Sequence, residues 1–459
     1  MTFATDLERF GDRVAVQLAS GEAFSYRELA LRADALFDQA FSGLVAPSLV
    51  AIECSNTADS LAAYLGALRH KVVALLVDGD LNAELREQLY AHYGINTIFR
   101  MESGWQQRAH GHELKVNPDL ALLLSTSGST GAPKLVRLSR NNLQANAEAI
   151  AEYLYLSSND RPITSLPMHY SYGLSVINSH LLVGATLLLT AEAITTRGFW
   201  NFFKEYRATG FSGVPITYAM LKQMRFERMD LPSLRVMTQA GGRLAPDLVK
   251  WLGELTKARQ QQFFVMYGQT EATARIAYLP PECVLDKPDS IGVAIPGGAL
   301  KLINEDGESI EEPESVGELC YSGPNVMMGY AYGPNDLALP DTQQGQLRTG
   351  DLAKRDPDGY FYIIGRLCRF IKVFGNRIGL DEVEHQLRGD GFDVAVTGKD
   401  DLLAVAIRGD GVAPDELANR LSMRYRIHKS AIRVRSVANF PLSNSGKVQY
   451  MDLLNELCE

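Results

Sequence analysis

The chain has 459 residues, of which 46% are hydrophobic and 22% are charged, and its formal net charge is −9. This length exceeds what one ordinary hydrophobic core can organise and predicts two or three domains. The acidic balance argues against nucleic acid or an anionic membrane as the main partner, because both are negatively charged. No apolar run in the sequence approaches membrane-spanning length.

The cysteines and the N-terminal residues favour a cytoplasmic location. The five cysteines are scattered and form no Cys-x-x-Cys pair, which predicts reduced thiols and neither a disulfide framework nor a zinc site. Asp6, Glu8 and Arg9 stand where a signal peptide would need an apolar core. The sequence therefore predicts a protein that stays in the cytoplasm.

Strands and helices alternate along the first third of the chain, as apolar residues switch between helical spacing and short continuous runs. Helices are predicted around residues 61–68, 81–89 and 143–154, and strands at 72–77, 95–99 and 120–124. Ser139 is the expected N-cap of the third helix. This alternation predicts largely parallel sheets that are covered by helices.

The pattern changes twice in the second half of the chain. Residues 280–357 are rich in Gly, Pro, Asn and Asp, which predicts a β-rich subdomain with short hairpins. Strands at 394–396, 402–407 and 432–437, with a helix that carries Leu417 and Leu421, then predict a compact α+β unit. The predicted division is a large N-terminal domain, residues 1–366, and a small C-terminal domain, residues 367–459.

The segment from Ser125 to Lys134 carries the strongest functional signal. Ser, Thr and Gly residues fill it up to Pro133 and Lys134, and it directly follows the apolar run of residues 120–124. Glycines let successive N–H groups turn toward an anion, hydroxyls add donors, and the lysine adds a positive charge. The spacing is not that of a Walker A loop. We interpret the segment as a phosphate-binding loop rather than a flexible linker.

This loop resembles the phosphate loop of the adenylate-forming superfamily, which includes acyl-CoA synthetases, aryl-acid ligases, peptide-synthetase adenylation domains and firefly luciferase. Further motifs of that family follow in order, namely Tyr267-Gly268-Gln269-Thr270-Glu271, Thr349-Gly350-Asp351, Gly365-Arg366 and Pro441-Leu442-Ser443-Asn444-Ser445-Gly446-Lys447. The resemblance implies an α/β fold. Its large N-terminal domain has parallel-rich sheets covered by helices and a β-rich subdomain, and a small mobile α+β C-terminal domain completes the active site.

The resemblance also implies residue roles. Lys447, Thr270 and Glu271 are the expected catalytic residues, and Glu271 is the expected ligand of Mg²⁺, which prefers carboxylate oxygens. The expected nucleotide-binding residues are Thr126, Ser127, Gly128, Ser129, Thr130, Gly131, Lys134, Gly241, Gly242, Tyr267, Gly268, Asp351 and Arg366. Lys447 would bridge the acid and the nucleotide, and Asp351 would accept hydrogen bonds from the ribose hydroxyls, with Arg366 beside it.

The expected acid pocket is lined by Tyr170, Ser171, Gln239, Ala240 and Gly241. Tyr170 falls where the family places an aromatic gate, and amino-acid-activating members follow that gate with an Asp. Here Ser171 follows it, and no acidic residue occurs between residues 161 and 191. Because a buried ammonium group needs a counter-charge, we expect a carboxylic acid without an α-amino group.

The chain departs from the family pattern at two positions. Leu135 replaces the usual Gly after the phosphate-loop lysine, and Cys368 replaces the usual Asp or Lys at the hinge. Lys372 lies in a segment that resembles the part of the C-terminal domain used during thioester formation, although a surface role is almost as well supported.

The sequence thus predicts an ATP- and Mg²⁺-dependent ligase that forms an acyl-adenylate and transfers the acyl group to a thiol. Coenzyme A and the phosphopantetheine arm of a carrier protein both remain open as acceptors. An amino-acid-activating domain is the first alternative. A non-catalytic nucleotide sensor is the second, and Cys368 is the feature that suggests it.

Overall fold

The computed structural model describes residues 2–41, 48–107, 114–125, 134–304, 306–367, 369–373, 376–409, 413–425, 427–443 and 446–458. The chain forms two compact units. The first comprises Met1–Leu300 and Tyr321–Leu347, and the second comprises Lys301–Cys320 and Arg348–Glu459. The domain division predicted at residue 366 stays a prediction. No helix in the ranges above has the length and apolar character that crossing a membrane requires.

The helices in chain order are α1 (Thr2–Thr5), α2 (Tyr26–Phe41), α3 (Ala58–Arg69), α4 (Ala83–Tyr93), α5 (Arg140–Tyr153), α6 (Ser171–Leu182), α7 (Arg197–Glu205), α8 (Pro215–Gln223), α9 (Pro246–Ala258), α10 (Leu380–Gly389), α11 (Pro414–Tyr425) and α12 (Tyr450–Cys458).

The strands in chain order are β1 (Val14–Leu18), β2 (Ala23–Ser25), β3 (Leu49–Cys54), β4 (Val73–Asp78), β5 (Thr97–Arg100), β6 (Gly104–Gln107), β7 (Leu120–Ser125), β8 (Leu135–Ser139), β9 (Leu187–Leu189), β10 (Gly210–Gly213), β11 (Val236–Gln239), β12 (Gln262–Tyr267), β13 (Ala277–Leu279), β14 (Val293–Ala294), β15 (Ala299–Ile303), β16 (Ser309–Ile310), β17 (Val316–Ser322), β18 (Gly329–Ala331), β19 (Gln346–Arg355), β20 (Phe361–Arg366), β21 (Phe370–Val373), β22 (Asn376–Gly379), β23 (Val394–Lys399), β24 (Leu402–Arg408) and β25 (Ile432–Val437).

The largest sheet of the first unit has the strand order β18-β8-β7-β4-β3-β5-β6. Its central strands β3, β4, β5 and β7 are parallel to one another. Alternate residues of β3 enter two different hydrophobic clusters, Val50 and Ile52 in one and Leu49 and Ala51 in the other. Burial on both faces explains why these strands read as continuous apolar runs.

A second sheet of this unit positions two of the predicted motifs. Its order is β10-β11-β12-β13-β14, and β10, β11 and β12 are parallel. Strand β11 ends at Gln239 and β12 ends at Tyr267. In open α/β sheets ligands bind beyond the carboxyl ends of parallel strands. The glycine-rich segment after β11 and the Tyr-Gly-x-Thr-Glu segment after β12 therefore begin at the same edge of this sheet.

The second unit combines two sheets and a hairpin. One sheet has the order β16-β15-β17-β19-β20, the other has the order β23-β24-β25, and β21 pairs with β22. Strand β23 is buried on both faces, because Val394 and Val396 belong to one hydrophobic cluster and Ala395 belongs to another, which contains residues of α12. The predicted strands and helix of this region are confirmed.

The structure confirms the predicted fold class and most predicted elements. Helix α5 begins after Ser139, whose side chain accepts from the backbone N–H of Asn142 in a capping box. The helix predicted at 81–89 is only partly right, because α4 begins at Ala83 and Leu85 is 53% exposed. Its buried side chains are Leu89, Tyr90 and Tyr93, so the predicted range includes only part of the buried face.

Candidate active site

The Tyr267–Glu271 segment leaves strand β12 and turns at once. Residues Thr270–Ala272 form a short 3-10 helix, and Gln269 donates a side-chain hydrogen bond to the Tyr267 hydroxyl over 3.2 Å. A Cβ atom on Gly268 would lie 1.7 Å from the carbonyl oxygen of Ala274. This position therefore requires glycine for close backbone packing, independently of any contact to a nucleotide.

Glu271 and Lys134 lie on either side of one tyrosine. The Tyr330 hydroxyl donates to Glu271 Oε1 over 2.7 Å, and the Lys134 ammonium lies 4.0 Å from the centre of the Tyr330 ring. Burial and the neighbouring Glu271 carboxylate raise the pKa of Tyr330, so the phenol stays protonated and keeps donating. Tyr330 thereby orients the predicted magnesium ligand and supports the predicted phosphate-binding lysine.

The described residues contain no cluster of three His, Cys, Asp or Glu side chains that could enclose a metal ion. A single oriented carboxylate nevertheless suits Mg²⁺, because this ion keeps several waters and is usually held by one or two carboxylates together with substrate phosphates.

The predicted gate Tyr170 lies against Gly241, which was predicted for both the nucleotide site and the acid pocket. Gly241 has φ = +84°, and a Cβ atom there would lie 2.4 Å from the Tyr170 hydroxyl oxygen. Gln239 is buried and donates to the Gly242 carbonyl oxygen over 2.8 Å, which holds this tight segment after β11. The structure thus places Tyr170, Gln239 and Gly241 close together, and their role in an acid pocket stays a prediction. Gly242, predicted for the nucleotide site, lies beside them.

Hydroxyl groups connect this pocket to the Thr270 segment. Ser171 and Thr270 have their hydroxyl oxygens 3.3 Å apart. Behind them the Tyr172 hydroxyl lies 2.8 Å from both the carbonyl and the hydroxyl oxygen of Thr238. Tyr172 is therefore a buried structural residue of this wall, while Tyr170 is only partly buried.

The predicted phosphate-loop residues Thr126, Ser127, Gly128, Ser129, Thr130 and Gly131 lie outside the described residues. The strands on either side of the loop are described, and Ser125 is the antiparallel partner of Leu135 in the β7–β8 pair. Leu135 is fully buried in the core. The departure from the family's glycine at this position thus places an apolar side chain in the hydrophobic interior.

In the second unit Asp351 and Arg366 are antiparallel partners on β19 and β20. The Arg366 Nε atom lies 2.9 Å from Asp351 Oδ1, and the carboxylate is 3% exposed whereas the guanidinium is 56% exposed. Gly350 precedes the carboxylate with φ = +71°. The two predicted ribose contacts are therefore side by side, and Arg366 restrains the carboxylate that would accept from the sugar.

Lys447 follows a tight turn in the second unit. The Gly446 N–H donates to the Ser443 carbonyl oxygen, and the Ser443 N–H donates to the Lys447 carbonyl oxygen, both over 2.8 Å. Leu442 and Val448 then form an antiparallel bridge. These bonds fix the backbone of Lys447 while its side chain is exposed.

Sequence reasoning missed two residues. Tyr330 has no role in the predictions from sequence, yet it contacts both Glu271 and Lys134. The pairing of β18 with β8 brings it there, and no local pattern signals this. Arg275 was not considered, yet it is 1% exposed and lies 4.4 Å over the Tyr172 ring. Arg275 is the one charged residue between Glu271 and Glu282 in the sequence, and this isolation among mostly apolar residues is the signal that could have found it.

A family model described as "AMP-binding enzyme" matches residues 3–331. The chain belongs to the AMP-binding enzyme family. It is 31% identical to an oxalate–CoA ligase of Arabidopsis thaliana over 73% of this chain and 68% of that protein. It is 30% identical to an L-proline–[L-prolyl-carrier protein] ligase of Pseudomonas fluorescens over 75% of this chain and 70% of that protein.

The fold similarity extends over the whole chain. The O-succinylbenzoate coenzyme A synthetase of Bacillus subtilis in complex with AMP superposes with a TM-score of 0.80 at 24% identity, covering 98% of each chain. A structure of that enzyme with ATP and magnesium ion also has a TM-score of 0.80, at 23% identity, covering 100% of this chain and 99% of that one. These solved structures show the fold, and the AMP-binding family match with the named ligases among the relatives makes the chain an AMP-forming acid–thiol ligase.

Proposed function

We propose that this AMP-binding family member activates a carboxylic acid with ATP and Mg²⁺ in the cytoplasm, and then transfers the acyl group to a thiol. The observation that supports this most directly is the arrangement around Tyr330, whose hydroxyl binds Glu271 and whose ring lies beneath Lys134. An oriented carboxylate and a cation close together are what a magnesium–triphosphate group requires.

In the first step a carboxylate oxygen of the acid attacks the α-phosphorus of ATP. A new oxygen–phosphorus bond forms, the bond to the bridging oxygen breaks, and pyrophosphate leaves. Mg²⁺ bound at Glu271 would supply positive charge at the phosphates. Thr270 donates to the α-phosphate, Lys447 offsets the negative charge that develops between acid and nucleotide, and Asp351 holds the ribose hydroxyls.

In the second step the thiol sulfur attacks the acyl carbonyl carbon, a thioester forms, AMP leaves, and the thiol proton is released. Coenzyme A is one acceptor that the relatives suggest, since one of them is named oxalate–CoA ligase. A carrier-protein phosphopantetheine is the other, because another relative is named as an L-prolyl-carrier protein ligase.

The acid lacks an α-ammonium group under this proposal. Ser171 follows the gate Tyr170, and residues 161–191 contain no Asp or Glu that could pair with a buried ammonium. Activation of an amino acid remains the second candidate, supported by the L-proline ligase among the relatives.

Acid-dependent exchange of radiolabelled pyrophosphate into ATP tests the first step. We expect exchange with one class of non-amino acids and none with the twenty amino acids. Adding coenzyme A or a phosphopantetheinylated carrier protein then identifies the acceptor by thioester formation. Exchange with amino acids alone would favour the second candidate, and nucleotide binding without exchange on any acid would contradict the proposal.

A further inference from the structure

Arg275 is a buried cation whose hydrogen bonds all go to neutral groups. It is 1% exposed, its Nε and Nη2 atoms lie 3.2 and 3.1 Å from the Ser175 hydroxyl, and its Nη1 atom lies 3.1 Å from the Tyr153 hydroxyl. Its remaining partner is the sulfur of Met266. No carboxylate in the described part of the chain forms an ion pair with it. Burial of a guanidinium without an anion is costly.

Arg137 offers an instructive contrast within the same unit. It is also fully buried and forms no ion pair with a carboxylate among the described residues, but its guanidinium donates to three backbone carbonyl oxygens, those of Met328, Leu339 and Pro340. Arg137 thus ties chain segments together. Among the described residues the Arg275 guanidinium hydrogen-bonds side chains, two of them hydroxyls that are weak acceptors. It therefore does not join backbone segments as Arg137 does.

The position of Arg275 is beside the predicted acid pocket. Its guanidinium covers the Tyr172 ring at 4.4 Å, and the Tyr172 and Tyr170 rings are 6.2 Å apart. Burial raises the pKa of Tyr170, whereas the positive charge of Arg275 opposes that rise. A small enclosed cavity beside the guanidinium is lined by Ser212 and Thr238, and also by Asp160, whose carboxylate is paired with Arg235. The positive charge of Arg275 therefore lies close to Tyr172 and influences Tyr170, the predicted gate.

The two residues before Arg275 have an unusual backbone conformation that turns its side chain into the interior. Thr273 and Ala274 have φ values of +55° and +103° in succession, a region that side-chain-bearing residues rarely adopt. Asn325 secures the bend by donating to the carbonyl oxygens of Ala272 and Arg275, each over 2.8 Å. Such strain is found where a side chain must be held for a function. The bend puts Arg275 in the interior four residues after Glu271.

We propose that Arg275 binds a second anionic group on the acid substrate, so that the enzyme acts on compact dianionic acids such as dicarboxylates or sulfonated carboxylates. This inference rests on the proposed function and narrows its substrate class. A guanidinium carries five N–H donors in one plane, and an anion that replaces the Ser175 or Tyr153 hydroxyl as acceptor would gain a charge-assisted hydrogen bond. The same charge repels an α-ammonium group, in agreement with the missing acidic residue after Tyr170.

Matched acid pairs test the inference on the unaltered protein. Each pair shares a carbon skeleton and differs only in the second anion, for example glutarate with valerate, phthalate with benzoate and sulfoacetate with acetate. We expect the dianionic member of the preferred pair to have the higher kcat/KM in pyrophosphate exchange, by on the order of 100-fold. A uniform preference for monoanionic members would overturn the inference alone. Failure of every acid would overturn the proposed function and this inference together.

Two variants then assign the preference to this side chain. In Arg275→Gln we expect the dianionic substrate to lose on the order of 100-fold in kcat/KM, while the matched monoanionic acid keeps its rate and ATP binding is unchanged. Arg275→Lys keeps the charge and should recover part of the loss, and Ser175→Ala is the control that removes a hydroxyl partner but no charge. Equal losses for both members of a pair in Arg275→Gln would show a structural role and overturn the assignment.

Discussion

The segment Tyr267–Arg275 and the turn before Lys447 hold their functional groups in opposite ways. In the first, Glu271 receives a hydrogen bond from Tyr330, and Arg275 is enclosed by Ser175, Tyr153 and Tyr172. In the second, backbone hydrogen bonds join Ser443 to Gly446 and to Lys447, and the Lys447 side chain is exposed. The first region is ordered before any ligand binds, so it suits recognition. The second presents an exposed lysine, which suits a group needed as charge develops at the transition state.

The largest expected effect comes from the exposed lysine. Lys447→Ala should lower the rate of acid-dependent pyrophosphate exchange by about 1000-fold, because it removes a charge needed at the transition state. ATP binding, measured by calorimetry, should change little. Lys429→Ala, which also removes an exposed lysine of the second unit, is the control and should exchange normally. Normal exchange by the Lys447 variant would show that Lys447 does not act in adenylate formation, and the comparison between the two regions would then fail.

Gly241→Ala tests how closely the fixed region is packed around the gate. The new Cβ would lie 2.4 Å from the Tyr170 hydroxyl oxygen, so the gate must move, and we expect a loss of about 100-fold in kcat/KM for the acid. Gly297→Ala is the matched control, because Gly297 has a similar φ of +78° but nothing within 4 Å of its Cβ position. Similar losses in both variants would mean that backbone conformation, and not contact with Tyr170, causes the effect.

Tyr330→Phe tests whether the hydrogen bond from Tyr330 to the Glu271 carboxylate matters for Mg²⁺ binding. It removes the hydrogen bond to Glu271 but keeps the ring beneath Lys134. We expect the Mg²⁺ concentration for half-maximal exchange to rise about 10-fold, as is typical when a residue that orients a metal ligand is changed. Tyr330→Leu, which also removes the ring, should weaken ATP binding in addition. An unchanged Mg²⁺ dependence in Tyr330→Phe would argue against Glu271 as the metal ligand.

The smallest expected effect concerns stability. His180 is fully buried, and burial lowers its pKa from 6.5 to about 4. The unfolded chain therefore takes up a proton below about pH 6.5 while the folded chain stays neutral, so stability is full above that pH and falls as the pH drops toward 4. Near pH 5 the loss is about 2 kcal/mol.

His180→Asn should flatten this decline, as measured by denaturant unfolding between neutral pH and pH 5. The variant can be less stable throughout, because the His180 Nδ1 contact to the Val176 carbonyl oxygen is lost. The comparison that matters is the slope against pH. An identical slope in both proteins would show that His180 does not contribute to the acid sensitivity of the first unit.

Much of the fold could be predicted from local patterns. The capped helix after Ser139 and the buried strand at 120–124 carry period and capping signals that need no distant partner. Helix α4 was harder, because its two buried tyrosines pack against other elements while Leu85 is exposed. Apolar spacing reports which residues can be buried, and tertiary packing decides which of them are.

The sequence by itself determined the order of the motifs, the family resemblance and the missing counter-charge after Tyr170, because each depends only on which residues occur and where they stand in the chain. Only the tertiary structure decided that Tyr330 contacts Glu271 and Lys134, that Asp351 pairs with Arg366, and that Arg275 is buried among hydroxyl groups. These contacts join residues from different strands and helices. Strand pairing and burial set the charge environment of each group, and neither can be inferred from the residues immediately beside it.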